Sequence, residues 1–305
     1  MKGFKQAQID PVLLVTAVMS LLLNGYGIWN DKYANTYYTT AVASMLQSFS
    51  NFFYGSLDPA GSVTVDKPPL AFWIQTAFAY VFGLHGWSVI LPQALAGVGS
   101  VILLYLLLKP TFGIRAARIG ALVMALTPVL AAVSRTNNID SMLVFALLLG
   151  THLLFKGIRG RRTGLAIAAF AMIGVAFNMK MLQAYMVLPA FYLFYVFAAK
   201  ASWKRKTAVL AGATALMLVI SVSWAVIVDA IPADKRPYIG SSGSNSVLEL
   251  AFGYNGVSRL TGNQGPGGGG MTGGRGGQDG GFGGFGGGAA GQGAPGGDGT
   301  AAGNG

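Results

Sequence analysis

The sequence predicts an all-α polytopic membrane protein, and three observations predict it. The 305 residues are 53% hydrophobic and only 10% charged, with a mean hydropathy of +0.54. Soluble domains carry about 25% charged residues. The apolar residues fall in runs of membrane-crossing length, and most Lys and Arg residues lie between those runs in the positive-inside pattern. The net charge of +11 is therefore a mark of topology, and nucleic acid is not an expected partner. Cysteine is absent, which excludes disulfides and thiolate-held metals. His85 and His152 are the two histidines, too few for a histidine metal cage. A divalent cation stays open, because acids cluster on one side, but no spacing forms a ligand set.

Each element follows in order. Lys2 and Lys5 precede an apolar run with no obvious small-residue cleavage site, so residues 11–29 read as a retained first span. Residues 31–67 are polar and aromatic. Within them, Tyr38, Val42, Met45, Phe49, Phe52 and Phe53 recur at helical spacing, which predicts a helix over 37–53 lying on the membrane surface. Residues 70–82 are apolar but short for about 30 Å of hydrocarbon. Topology decides their role: Lys109, Arg115 and Arg118 belong inside, so 70–82 is read as a juxtamembrane or half-inserted helix and 87–108 as the second span. Further spans follow at 119–133, 141–155, 164–178, 184–199 and 207–230, with basic turns at 156–162 and 200–206. That makes about seven spans, with the N-terminus cytoplasmic and everything after Ile231 outside.

On this topology Asp10 is the single cytoplasmic acid, and the other nine Asp and Glu residues lie at or beyond the outer surface. Each outer turn also holds a cation against the positive-inside trend: Lys67, Arg135, Lys180 and Arg236. Such cations can grip a phosphate. Asp66 and Asp140 can act as a base toward a hydroxyl. The plainer reading stays open beside this one: each cation snorkels to the headgroups, and each acid caps a helix. Asp140, directly before an apolar run, suits an N-cap. The stretch Asp66-Lys67-Pro68-Pro69 concentrates the question. A charged pair beside hydrocarbon is costly, and the prolines suit a helix start.

Several marks carry a family resemblance. They are KPPLAFW at 67–73 followed by Phe82-Gly83, LPQAL at 91–95, SRTNNIDSML at 134–143, NMKMLQA at 178–184, and RPYIGSSGSNSVLELAFGYNG at 236–256. In this order they resemble the amino-terminal half of a bacterial family 39 membrane glycosyltransferase. Relatives of that family include the protein O-mannosyltransferases and the aminoarabinose transferase acting on lipid A. The resemblance covers roughly residues 5–262, and the last stretch is similar to one bacterial mannosyltransferase subgroup. It implies a C-type glycosyltransferase-like helical bundle in the cell membrane. It further implies transfer of a sugar, with mannose the candidate, from a polyprenyl-phosphate carrier to a lipid, glycan or protein acceptor on the outer face. By the same resemblance, Lys67 sits near the lipid phosphate and Asp140 matches the acid of the second outer loop. The expected site is then Asp140 and Asp66 as catalytic acids, with Lys67, Arg135, Lys180, Arg236 and Tyr238 binding substrate. One departure stands out. The family carries Asp-Glu in the first outer loop, where this chain has Ala34-Asn35, and neither residue can act as a base. Asp31 lies nearby.

Residues 262–305 hold 24 of the 45 glycines and cannot bury a core, so they read as a flexible extracytoplasmic tail after a membrane domain over 1–261. The family continues with more spans and an outer domain, so this chain reads as truncated. Two other functions compete. A lipid-linked sugar transporter calls for charge at mid-membrane depth and broken helices, and the span interiors carry almost no charge. A noncatalytic scaffold agrees with Ala34-Asn35.

Overall fold

A computed structural model of the chain describes residues 10–253. The expected glycine-rich tail lies outside the described residues. Five segments are long and apolar enough to cross a membrane: Pro11–Asn30, Gly86–Leu126, Asp140–Arg159, Thr163–Ala198 and Trp203–Asp229. Among the described residues the regular elements are all helices, with two isolated β-bridges. The protein is a largely helical, multi-pass membrane protein.

Helix α1, Pro11–Gly25, starts where Asp10 accepts the Val12 N–H at 3.1 Å and Pro11 occupies the first turn. Its faces are inverted relative to a soluble helix. Thr16, Ser20 and Asn24 are buried, whereas Leu14, Val15 and Leu22 are exposed. In hydrocarbon this is the favourable arrangement, since apolar side chains lose nothing by facing lipid and polar ones find partners inside.

The first outer loop holds two helices instead of one. Helix α2 spans Thr36–Met45 and helix α3 spans Phe49–Tyr54. Ser48 divides them: it is extended at φ −152° and accepts the Asn51 N–H, so it starts a new helix. Ala41, Val42 and Met45 are buried, so α2 packs one face onto protein. Helix α4, Leu70–Phe82, has the expected bounds, and its 13 residues give about 20 Å of helix. Trp73 Nε1 donates to the Phe52 carbonyl at 2.6 Å, fastening α4 to α3.

Helix α5, Gly86–Leu126, runs 41 residues but is broken at Gly113, where φ is 84° and ψ 173°. Tyr105 and Arg118 both reach the Asp10 carboxylate. In a straight helix they would stand about 20 Å apart, so the chain reverses at Gly113 and the two arms pack together. Val101 and Tyr105 share a buried cluster with Ala117, Ala121 and Ala125. Glycine suits the left-handed turn. The expected run 119–133 is interrupted at Thr127, after which α6, Pro128–Ser134, begins. Helix α7 spans Asp140–Arg159, and α8 spans Thr163–Lys180. A 3-10 turn over Met181–Val187 leads to α9, Leu188–Ala198. This segment also reverses, because the rings of Phe170 and Phe191 meet at 5.8 Å. Helix α10, Trp203–Asp229, and the short α11, Val247–Phe252, complete the order.

The bundle has two unlike ends. One carries Lys109, Arg115, Arg118, Lys156, Arg159, Arg161, Arg162, Lys200, Lys204, Arg205 and Lys206 against a single described acid, Asp10. Arg118 and Tyr105 hold that carboxylate well below the usual range. The other end gathers the four loops that hold every predicted site residue.

Candidate functional site

A buried cluster draws these loops together. Val65, Ile139, Met179, Met181 and Ile239 all belong to it, and they flank Asp66, Asp140, Lys180 and Tyr238 in sequence. The site residues are thus carried by backbone that is anchored in apolar packing.

The 55–69 loop is built around Asp58. Its carboxylate accepts from the Ser62 N–H at 3.0 Å, the Ser62 hydroxyl at 2.8 Å and the Val63 N–H at 3.0 Å. The Ser62 hydroxyl is the main cause that lowers its pKa from the ordinary carboxylate value. Val63 then pairs in parallel with Tyr238: the Thr64 N–H donates to the Tyr238 carbonyl at 2.9 Å and the Tyr238 N–H to the Ser62 carbonyl at 2.8 Å. Gly240 fits here because a Cβ would stand 2.3 Å from the Thr64 carbonyl oxygen. Asp66 and Lys67 form an ion pair at the end of this loop, with Lys67 almost fully enclosed.

A second ion pair joins α7 to α8, between Asp140 and Lys180. The Asp140 side chain is 40% exposed and that of Lys180 17%, so Asp140 is the more accessible carboxylate of the two pairs. Asp140 does not cap α7. It is the first residue of the helix, and Asn138 Oδ1 accepts its N–H at 3.0 Å. Helix α8 extends to Lys180, past the expected end at 178. Asn178 reaches across to the Ile220 carbonyl of α10 at 2.8 Å.

Three predicted binding residues spend their polar groups on the protein. Arg135 donates to the Leu23 carbonyl at the end of α1 at 3.0 Å. Arg236 donates to the Val228 carbonyl, to Asp229 at 3.0 Å and to the Asn245 carbonyl at 2.5 Å, which caps the end of α10. The Tyr238 hydroxyl donates to the Ser242 carbonyl. The structure therefore brings Asp140 to Lys180 and Asp66 to Lys67, and it turns Arg135 toward α1.

Ala34-Asn35 lies beside the second loop. Asn137, fully buried, accepts the Asn35 N–H at 2.7 Å and donates to the Thr39 hydroxyl at 3.0 Å. Asn35 itself caps α2. Asp31 closes a local turn by accepting the Ala34 N–H at 2.8 Å. Sequence reasoning missed the structural weight of Gln75 and Asp229. Gln75 is fully buried and donates to the Asn137 carbonyl at 3.1 Å. Asp229 accepts from Ser246, Val247 and Leu248 as well as Arg236, so it ties α11 to α10. A lone amide in an apolar helix and an acid at the end of an apolar run were the available signals.

The helices that carry the Asp140–Lys180 pair also help form an apolar groove of about 320 Å³, lined by Ile74, Phe78, Leu95, Met142, Phe145 and Met179 among others. Met142 and Met179, which line it, are close sequence neighbours of the paired residues. Among the described residues no group of three metal-ligating side chains forms.

A paired acid and base, fixed at one end of a helical membrane bundle, define a membrane protein with a polar loop-end site. Solved structures share the fold. A crystal structure of the Archaeoglobus fulgidus oligosaccharyltransferase in the apo form matches with a TM-score of 0.55 at 17% identity, over 74% of this chain and 30% of that one. The AglB oligosaccharyltransferase of the same organism, in complex with an inhibitory peptide and a dolichol-phosphate, matches with a TM-score of 0.54 at 17% identity, over 83% and 32%. At that identity the likeness is one of fold. The family model described as dolichyl-phosphate-mannose-protein mannosyltransferase matches residues 66–224, just over half of the chain, and the chain belongs to that family. Two Bacillus subtilis (strain 168) proteins are similar over most of this chain: "Putative mannosyltransferase YkcB" is 61% identical over 266 residues, and "Putative mannosyltransferase YycA" is 59% identical over 258. The matches cover 87% and 85% of this chain but 37% and 38% of those proteins, so the chain spans under two fifths of the length of these relatives.

Proposed function

We propose that this chain forms the membrane part of a polyprenyl-phosphate-dependent glycosyltransferase, which moves a sugar, with mannose the candidate, to an acceptor at the outer face of the cell membrane. The observation that carries the reading is the gathering of the Asp140–Lys180 and Asp66–Lys67 pairs at one end of the bundle, whose helices also form an apolar groove. The groove suits a polyprenyl chain. In the reaction, an acceptor hydroxyl oxygen attacks the anomeric carbon, and the bond from that carbon to the phosphate oxygen breaks with inversion. Asp140 accepts the hydroxyl proton. The phosphate leaves with the bonding electrons, and Lys67 and Lys180 offset its charge. Asp66 orients Lys67. By the positive-inside rule we assign the basic end to the cytoplasm. Counting the reversals after Lys109 and Lys180, we assign about seven crossings, a C-type glycosyltransferase-like arrangement, and a membrane domain over residues 1–261.

The test is transfer from a radiolabelled polyprenyl-phosphate sugar into membrane acceptors by wild type, Asp66→Asn, Lys67→Ala and Asp140→Asn at equal membrane abundance. Loss of transfer in Asp140→Asn supports the reading, and full activity in all three variants overturns it. A second reading rests on Ala34-Asn35: a noncatalytic member that holds the fold without the family's first-loop acids. Wild type that is inactive yet assembles normally with Lys67 and Asp140 removed would favour it.

A further inference from the structure

The basic end of the bundle holds a second built cavity. A cleft of about 440 Å³ lies between the first arm of α5 and the end of α7. Leu106, Leu107 and Phe155 line it together with Lys156, Arg159 and Arg162. The two leucines lie within the apolar arm of α5. The cations come from the last turn of α7 and the turn beyond it, at the end of the span. Arg159 donates to the Thr111 hydroxyl at 3.1 Å, so its side chain reaches across to the α5 reversal.

These cations have no protein counter-ion. Among the described residues, Asp10 is the carboxylate at this end, and Tyr105 and Arg118 occupy it. Like charges a turn apart repel. The negative end of the α7 dipole accounts for Lys156 and Arg159 in part. It does not account for Arg162, which lies beyond the helix, nor for an open cavity with an apolar wall. Cations over an apolar slot at the end of a span match the junction between a lipid phosphate and its acyl chains, and basic pockets between membrane helices recognise such headgroups.

We propose that this cleft binds the phosphate-bearing headgroup of an anionic glycerophospholipid from the leaflet facing the basic end. Arg159 and Arg162 grip the phosphate, with Lys156 as a further charge, and Leu106, Leu107 and Phe155 receive the first part of an acyl chain. This site is independent of the loop-end reaction.

The test uses the full chain purified in neutral detergent, with phosphatidylglycerol and phosphatidylcholine binding measured by native mass spectrometry. Wild type should retain phosphatidylglycerol in preference. The variant Lys156→Gln/Arg159→Gln/Arg162→Gln should weaken it by roughly a hundredfold. A matched variant, Lys109→Gln/Arg115→Gln/Lys204→Gln, removes equal charge outside the cleft and should retain it. Leu107→Trp fills the slot while keeping every cation, and it should also weaken binding, which keeps the proposal testable if the triple variant does not fold. Equal loss in both triple variants would show a diffuse field and overturn the site. So would unchanged affinity in the cleft variants, a tenfold preference for a polyprenyl monophosphate, or displacement by low-millimolar inorganic phosphate.

Discussion

Lys180 at the end of α8 pairs with Asp140 at the start of α7, across 40 residues of sequence. The pair joins two helices whose ends meet at the loop face, and it sits between buried Ile139 on one side and Met179 and Met181 on the other. Its position is set by apolar packing, so either side chain can be altered while the backbone stays in place. We therefore expect Asp140→Asn to lower sugar transfer roughly 100-fold or more with unchanged membrane abundance. Lys180→Met should lower it less. The double variant should fall no further than Asp140→Asn alone, since both act in one unit. Transfer assays on the three variants at matched protein level check this, and additive losses would separate the two residues.

Gly113 offers a test of the fold without touching the site. Its φ of 84° lies in the left-handed region, and nothing stands within 4 Å of where a Cβ would go. Gly113→Ala therefore meets no clash with its surroundings and costs backbone strain alone, about 1–3 kcal/mol. Gly113→Asn should cost about as much, because φ 84° with ψ 173° lies outside the left-handed helical region that asparagine tolerates and is essentially confined to glycine. Thermal unfolding in detergent should place wild type above both variants, with Asn and Ala alike. Equal stability of all three would deny that the reversal depends on glycine.

Much of this architecture was legible in the sequence, and the parts that were not share a cause. Hydropathy and charge mark membrane spans strongly, because twenty apolar residues have few other uses. Helix α4 was readable for the same reason, since prolines start it and Gly83 ends it. Caps were harder to place. Asp140 looked like an N-cap, but Asn138 takes the hydrogen bond, and one polar residue in a run of four cannot be singled out by type. The helix over 37–53 broke at Ser48 because a single hydroxyl satisfies the Asn51 N–H, a local event that periodicity does not register. At the site, the four cations were visible as exceptions to the charge pattern. Their partners were not, since Arg135 binds a carbonyl 112 residues away and composition carries no trace of that contact.

Asp58 gives the loop face a defined response to acid. Its folded pKa lies below the ordinary value through the Ser62 hydroxyl and the Val63 and Ser62 N–H groups. A carboxylate depressed in the folded state stabilises above its unfolded pKa of about 3.9 and loses that contribution as pH falls through the lower, folded value. Glu249 behaves likewise through Ser244 and Gly243. Amide protection at Ser62 and Val63 should be constant near neutral pH and fall below roughly pH 4, whereas Asp58→Asn should already show the weakened protection at pH 7. Hydrogen exchange of this loop at several pH values measures it. A loop equally protected at pH 3 and pH 7 would remove Asp58 from this role.

Ala34 allows the family departure to be reversed by one substitution. Its φ is 52°, a region that alanine adopts at a cost of about 1–2 kcal/mol and that Asp and Asn enter more readily. Ala34→Asp should therefore be neutral or stabilising, and it restores a carboxylate where the family carries one. The neighbouring change Asn35→Glu is different, because Asn35 caps α2 by accepting the Tyr38 N–H at 3.3 Å; losing that cap costs about 1 kcal/mol. If Asp140 is the base, Ala34→Asp leaves the requirement intact, and Ala34→Asp/Asp140→Asn stays inactive. If transfer returns in that double variant, the base belongs at position 34 and Asp140 serves to hold Lys180. The two loops are in direct contact, since the Asn35 N–H bonds to Asn137 at 2.7 Å, three residues before Asp140. Melting temperature and transfer measured on the same four proteins separate the strain effect from the chemical one.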